Sequence, residues 1–261
     1  MSRSTFYYWR KALQCPDKYQ SEKAAIQQIY HQHKGRYGYR RINSVMKRQG
    51  YLINHKTVQR LMQQLGLKSL VRIKRYKSYR GNLGKITSNL LQRQFKADRP
   101  NEKWVTDVTE FKVADQKLYL SPVLDLYNGE IIAHQIEDRP VYGLVKEMLN
   151  KAFVRLNDGD SPMLHSDQGW QYQMKAYQDA LEQRGVRQSM SRKGNCLDNA
   201  VMENFFGLLK TELYYLEKFD NAEQLKSALD EYIHYYNHER IKLKLKGLSP
   251  VEYRTQPLLA A

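Results

Sequence analysis

Between residues 103 and 236 the spacing of apolar side chains switches several times, and the order of those switches leaves few folds open. Residues 104–112 alternate with period two, which puts Val105, Asp107, Thr109 and Phe111 on one face of a half-buried strand. Residues 117–127 and 130–136 read as two more strands, joined at Asn128-Gly129, a pair suited to the left-handed backbone of a tight hairpin. Residues 141–156 then read as a helix, with Leu144, Val145, Met148, Leu149 and Ala152 at helical spacing. A short strand at 161–165, a helix at 174–184, a strand at 186–190, a helix carrying Glu203 and a long helix at 222–236 complete the pattern. A meander of three strands followed by alternating helices and strands predicts a mixed five-stranded sheet with flanking helices, an α/β arrangement.

The first hundred residues follow a different rule. Residues 1–20 read as a short, aromatic, basic helix. Between residues 22 and 67 a helical period recurs three times, through Ile26 and Ile29, through Ile42, Val45 and Met46, and through Val58, Leu61, Met62 and Leu65. Asn54 is suited to cap the third of these helices and Gly66 to end it. Basic residues on the polar faces, Arg40, Arg41, Lys56 and Arg60 among them, suggest a helix-turn-helix module whose third helix, 55–64, enters a DNA major groove. Residues 68–101 hold Arg72, Lys74 and Arg75 with little apolar periodicity, and read as a basic linker that follows a phosphate backbone. The expected organisation is therefore an all-α DNA-binding region at 1–67, a linker at 68–101 and an α/β core at 102–261.

Charge divides the chain in the same place. The net +16 arises from 23 Lys and Arg against 3 Asp and Glu in residues 1–100, followed by 20 against 24 in the remainder. A basic first part and a mildly acidic second part fit a polyanion-binding module joined to a site built of carboxylates. No run of about eighteen apolar residues is present, which excludes a membrane-spanning helix. The N-terminus lacks the apolar stretch of a secretory signal, so the expected location is the cytoplasm. Cys15 and Cys196 match no metal-binding spacing and read as reduced thiols.

Within the expected core, Asp107 falls mid-way along the first strand and Asp167 just after the fourth. Glu203 lies about one turn into a helix that Asp198 or Asn199 can cap, and Asn199, Glu203 and Lys210 share one face of it. Three carboxylates brought onto one sheet edge repel one another unless cations lie between them. Hard oxygen ligands select Mg²⁺ or Mn²⁺, and two such ions about 4 Å apart support in-line displacement at phosphorus. Asp107, Asp167 and Glu203 are thus the candidate catalytic and metal-holding residues. Arg192 and Lys193, just before that helix, are candidate DNA contacts, and Asp198 and Asn199 are candidate supports behind the carboxylates.

Several motifs occur in one order along the chain: Trp104-Val105-Thr106-Asp107-Val108-Thr109; His165-Ser166-Asp167-Gln168-Gly169; Gly194-Asn195-Cys196-Leu197-Asp198-Asn199-Ala200 with Glu203 and Lys210; and Tyr236-Asn237 with Arg240, Gly247, Ser249, Pro250 and Tyr253. Together they resemble the DDE integrase-core transposases of bacterial insertion sequences, in particular the second-reading-frame product of the IS-three family and its IS-one-hundred-fifty-like subgroup. The resemblance extends to the basic segment with Tyr37-Gly38-Tyr39-Arg40-Arg41. It implies a ribonuclease H-like, retroviral-integrase-like core in which Asp107, Asp167 and Glu203 hold two metal ions and Lys210 contacts the terminal DNA of the element. It further implies copy-out, paste-in transposition, with the element's terminal inverted repeats and target DNA as substrates and a dimer or larger assembly on DNA. Two departures stand out: Arg240 is followed by Ile241, and no leucine-zipper heptads occur, so the chain reads as the second-frame product with an upstream-frame product as partner. A nuclease of the same fold that only hydrolyses, or a DNA-binding regulator, shares most of these features.

Overall fold

The computed structural model describes residues 2–14, 17–70, 87–192 and 196–256, which form two compact units divided near residue 71. Arg72, Lys74, Arg75 and Lys193 lie outside the described residues.

Among the described residues the N-terminal unit contains four helices: α1 (Arg3–Gln14), α2 (Gln20–Gln32), α3 (Tyr39–Arg48) and α4 (His55–Gln64). Ala25, Ile26 and Ile29 of α2 meet Ile42 and Met46 of α3 and Val58, Leu61 and Met62 of α4 in a small buried core. The ends of α4 form as read from sequence. Asn54 Oδ1 accepts the Lys56 N–H at 2.9 Å. Gly66, at φ +68°, lets its own N–H and that of Leu67 return to the carbonyls of Gln63 and Met62, closing the helix. Tyr37 is buried and stacked on His33 at 3.8 Å, and Asn43 Nδ2 donates to the Ile53 carbonyl at 2.9 Å, so the turn before α4 is fixed by side chains.

The second unit is a sheet between two helical layers. Its strands are β1 (Lys103–Thr106), β2 (Thr109–Val113), β3 (Gln116–Asp125), β4 (Ile131–Glu137), β5 (Met163–Ser166) and β6 (Arg187–Met190). The helices are α5 (Tyr142–Phe153), α6 (Lys175–Gln183), α7 (Ala200–Leu209), α8 (Ala222–His238) and α9 (Pro250–Thr255). β1 and β2 both pair antiparallel with β3, β4 lies on the other side of β3, and β5 and β6 continue in parallel from β1. Because β1 and β2 run end to end along β3, six strands make a sheet five strands wide.

The single strand expected at 104–112 is therefore interrupted at Asp107 and Val108. No bulge causes the gap: Thr106 faces Val123 and Thr109 faces Leu120, so the register is continuous and Asp107 falls opposite Pro122. A prolyl nitrogen cannot donate to a ladder. The Pro122 carbonyl accepts instead from the Thr106 hydroxyl at 2.8 Å. The hairpin after β3 also opens wider than a two-residue turn: the Asp125 N–H reaches the Glu130 carbonyl at 2.9 Å, with Gly129 at φ +71° inside the loop.

Alternation along the strands assigns the two faces. Val105, Phe111, Leu120 and Leu124 pack with Met202, Phe205, Phe206 and Leu209 of α7 and with Leu225 and Leu229 of α8. On the other face Trp104, Val123, Ala133 and Leu164 meet Val145, Met148 and Leu149 of α5 and Tyr177 and Leu181 of α6.

The stretch 87–101, expected to be the second half of a linker, belongs to this unit. The Ser88 carbonyl accepts the Met190 N–H at 3.3 Å, the Ser189 hydroxyl receives the N–H groups of Leu90 and Leu91, and Leu91 is buried in the same cluster as α7. The segment covers edge strand β6, whose open N–H and C=O groups would otherwise invite pairing.

Candidate active site

Backbone register brings the first two aspartates together. β1 and β5 run parallel with Val105 beside His165, so two residues further on Asp107 emerges beside Asp167. Both lie just past the last ladder pair, and their alternation points them to the face covered by α7. The Asp107 carboxylate accepts the Val108 N–H at 2.8 Å, and Asp167 Oδ1 accepts the Gly169 N–H at 2.8 Å. A Cβ at Gly169 would lie 2.8 Å from Gln171 Nε2, the movable end of a side chain, and 3.0 Å from Asp167 Oδ1.

Electrostatics bring in the third carboxylate. Burial raises the Asp107 carboxyl well above the usual range, the Asp167 and Glu203 charges raise it further, and the Lys210 ammonium opposes them. Burial also raises Asp167, against the hydrogen bond from Gly169. Glu203 stands in the first turn of α7. Lys210, at the end of α7, sits 5.2 Å over the Phe111 ring; burial lowers its ammonium, while Asp107 and Glu110 hold it up. Among the described residues no three Asp, Glu, His or Cys side chains are gathered tightly enough to grip an ion as they stand. The chemistry of the set nonetheless suits a divalent cation, since charge of opposite sign relieves both the burial and the mutual repulsion of Asp107 and Asp167.

Two residues expected to cap α7 are used elsewhere, which corrects that reading. Asn199 takes the cap position without a side-chain cap bond; its Nδ2 donates to the Thr106 carbonyl at 3.2 Å, tying α7 to the end of β1, and its Oδ1 is buried with no hydrogen-bond partner. Asp198, fully buried in a 3₁₀ turn (Cys196–Asn199), accepts five N–H donors. They are the Arg192 N–H, Nε and Nη2 at 3.0, 3.0 and 3.1 Å, Asn89 Nδ2 at 2.9 Å and Arg93 Nε at 2.9 Å. Arg192 above all holds the Asp198 carboxyl far below the carboxylate range. With its lone pairs committed, Asp198 has no capacity left for a metal ion. Arg192, read as a DNA contact, is the partner of this carboxylate, although its side chain stays more than half exposed.

The sequence reading missed Asn89, Arg93 and Tyr172. Tyr172, in the 3₁₀ turn after Asp167 (Trp170–Gln173), is fully buried; burial first and then Asp107 and Asp167 keep it un-ionised. His165 is buried between the hydroxyls of Ser189 at 2.8 Å and Ser191 at 3.1 Å, and burial pushes its imidazole down to about 4. In the N-terminal unit, Arg40, Lys56 and Arg60 are exposed, whereas Arg41 is half-buried over the Tyr37 ring, 5.6 Å from its centre.

The C-terminal motif holds the core. Asn237 brackets Ile131 like an extra strand, accepting its N–H and donating to its carbonyl, both at 2.9 Å. Arg240 is buried against Glu212 at 2.6 and 2.8 Å, with the Tyr232 hydroxyl on the same carboxylate. Ser249 and Glu252 form a capping box on α9, from which Arg254 pairs with the buried Asp125 and Glu130.

Comparison with known proteins agrees with this architecture. Residues 97–196 match the integrase core domain family, 203–258 a second family of that description and 18–75 an HTH-like domain. InsK, for insertion sequence element IS150 of Escherichia coli strain K12, is 60% identical over 254 residues, covering 97% of this chain and 90% of that protein. The chain belongs to the IS-three family of insertion-sequence transposases. The transposase InsF for insertion sequence IS3A of the same strain is 31% identical over 264 residues, 99% of this chain and 92% of that one. A transposase for element IS904 of Lactococcus lactis is 34% identical, covering 91% and 96%. A chain of the simian T-cell lymphotropic virus intasome, solved with a PP2A regulatory subunit, shares the fold of this transposase at TM-score 0.53 and 18% identity, over 80% of this chain and 70% of that one.

Proposed function

We propose that this transposase cuts and joins DNA strands at an edge formed by Asp107, Asp167 and Glu203, acting with two Mg²⁺ or Mn²⁺ ions. The observation that carries the reading is the shared register that sets Asp107 beside Asp167, with the Glu203 charge acting on Asp107. The three carboxylates would hold the ions, which when bound activate the attacking oxygen and stabilise the leaving one. Lys210 supplies a fixed positive charge beside them for a phosphate of the element's end. Arg40, Lys56 and Arg60, exposed on α3 and α4, supply non-specific phosphate affinity, joined by Arg72, Lys74, Arg75, Arg192 and Lys193.

One strand is cut at an element end and its 3′-hydroxyl attacks a second end, as copy-out, paste-in transposition requires, so two ends are held by a dimer or larger assembly. Glu203→Gln keeps the volume of the side chain and removes its charge. It is expected to abolish strand joining while DNA-end binding persists in a mobility-shift assay; undiminished joining would remove Glu203 from the site.

A further inference from the structure

We propose that residues 87–93, which precede the matched integrase core, are a working part of the active site: Asn89 and Arg93, through Asp198, fix the start of α7 and with it the position of Glu203. The inference rests on the reading of Glu203 as catalytic.

The segment is seated at three levels. Its backbone and hydroxyls meet β6, with Ser88 and Leu90 bonded as above and the Thr87 hydroxyl on Gln188 at 3.2 Å. Leu91 is buried among the residues that hold the inner face of α7, in one cluster with Met202, Phe205 and Phe206. Asn89 and Arg93 then close on Asp198, which precedes Ala200, the first residue of α7, by two positions.

Asp198 therefore ties three stretches together: the segment 87–93, the strand end at Arg192, and the turn that starts α7. Two cationic donors and one amide converge on one fully buried carboxylate, and charge-assisted bonds of this kind are the strong ones. Removing any donor leaves part of a buried carboxylate unsatisfied. The turn that launches α7 then loses its anchor on one side, and Glu203 lies only one helical turn further on. Asn199, bonded to the Thr106 carbonyl, is the second anchor, so the loss shifts the helix start and leaves the sheet intact. Asp198, Asn89 and Arg93 are positioning residues in this account.

The test uses the full chain carrying Arg93→Ala, Asn89→Ala or Asp198→Asn, with Glu203→Gln as reference. Arg93 is the gentlest probe, because its side chain is 43% exposed. In metal-free protein, amide exchange in the first turns of α7 should accelerate in all three variants, while amides of β3 keep their wild-type protection. In strand-joining assays the Mg²⁺ concentration for half-maximal rate should rise about tenfold or more, as for loss of groups that orient metal ligands, with affinity for the DNA end unchanged. Arg93→Ala should add little in an Asp198→Asn background, since both break one knot. Unchanged α7 exchange in Arg93→Ala, or exchange that accelerates equally across the sheet, would overturn the proposal. If Glu203→Gln joins strands normally, the catalytic reading fails instead, and the exchange data still decide whether the knot holds α7.

Discussion

Asp107 is placed where folding disfavours its charge: it lies beside Asp167, under a helix that brings Glu203, and in partial burial. A carboxyl raised in the folded state favours the fold when protonated and opposes it when ionised, so at neutral pH this site subtracts from stability. Asp107→Asn should therefore raise the thermal midpoint of metal-free protein by a few degrees while ending catalysis, and the rise should vanish when Mg²⁺ is added to both proteins. A midpoint that falls in the variant would contradict the burden assigned to Asp107.

His165 titrates with the opposite sign. Its folded value of about 4 lies below the unfolded 6.5, so the unfolded chain takes up more protons across that interval. Stability is complete above the unfolded value and declines as pH falls toward 4. The loss is about 2 kcal/mol between roughly pH 7 and pH 5 for this one group. Urea unfolding at both pH values should reveal it, and His165→Gln should reduce the difference. These residue-level roles divide sharply in how far the sequence exposes them. The placement of Asp107 beside Asp167 at one sheet edge was legible from strand position. Asn89, Arg93 and Tyr172 were not, because a polar residue in a segment without periodicity carries no mark of the distant group it meets.

At the scale of elements, the strand order was legible because alternation survives burial of both faces in β1 to β3. The break at Asp107 was not, since its cause is Pro122 on a neighbouring strand and acts through register, which a linear reading does not contain. Pro122→Val restores the missing donor. It should extend the β1 to β3 pairing through Asp107, seen as new amide protection there, and slow strand joining; unaltered joining with full new protection would show that the gap has no role. The caps of α7 were misread for a related reason. Asp and Asn before a helix favour capping locally, yet here a second strand and two arginines compete for them. The C-terminal motif looks chemical in sequence and is structural in the fold: Arg240 and Glu212 are both buried and satisfy each other. Arg240→Leu, which strands the Glu212 charge, should cost about 3–5 kcal/mol in denaturant unfolding, and the further change Glu212→Leu should recover much of that loss.

For the whole molecule, composition changes from strongly basic to mildly acidic near residue 100, whereas the structure divides near residue 71. Composition did not reveal that 87–101 belongs with the core, because charge reports on what a surface attracts while membership of a core is decided by a few buried residues such as Leu91. The family relationship makes the chain an insertion-sequence transposase with an integrase core, and the central claim is that Asp107, Asp167 and Glu203 perform the chemistry with metal ions. The most direct measurement is cleavage and joining of a labelled duplex carrying the terminal sequence of the element, with Mg²⁺, Mn²⁺ or chelator, by wild-type protein and by Asp107→Asn. The account predicts joined product that requires the metal and disappears in the variant; product that survives chelation, or that Asp107→Asn makes at the wild-type rate, would contradict it.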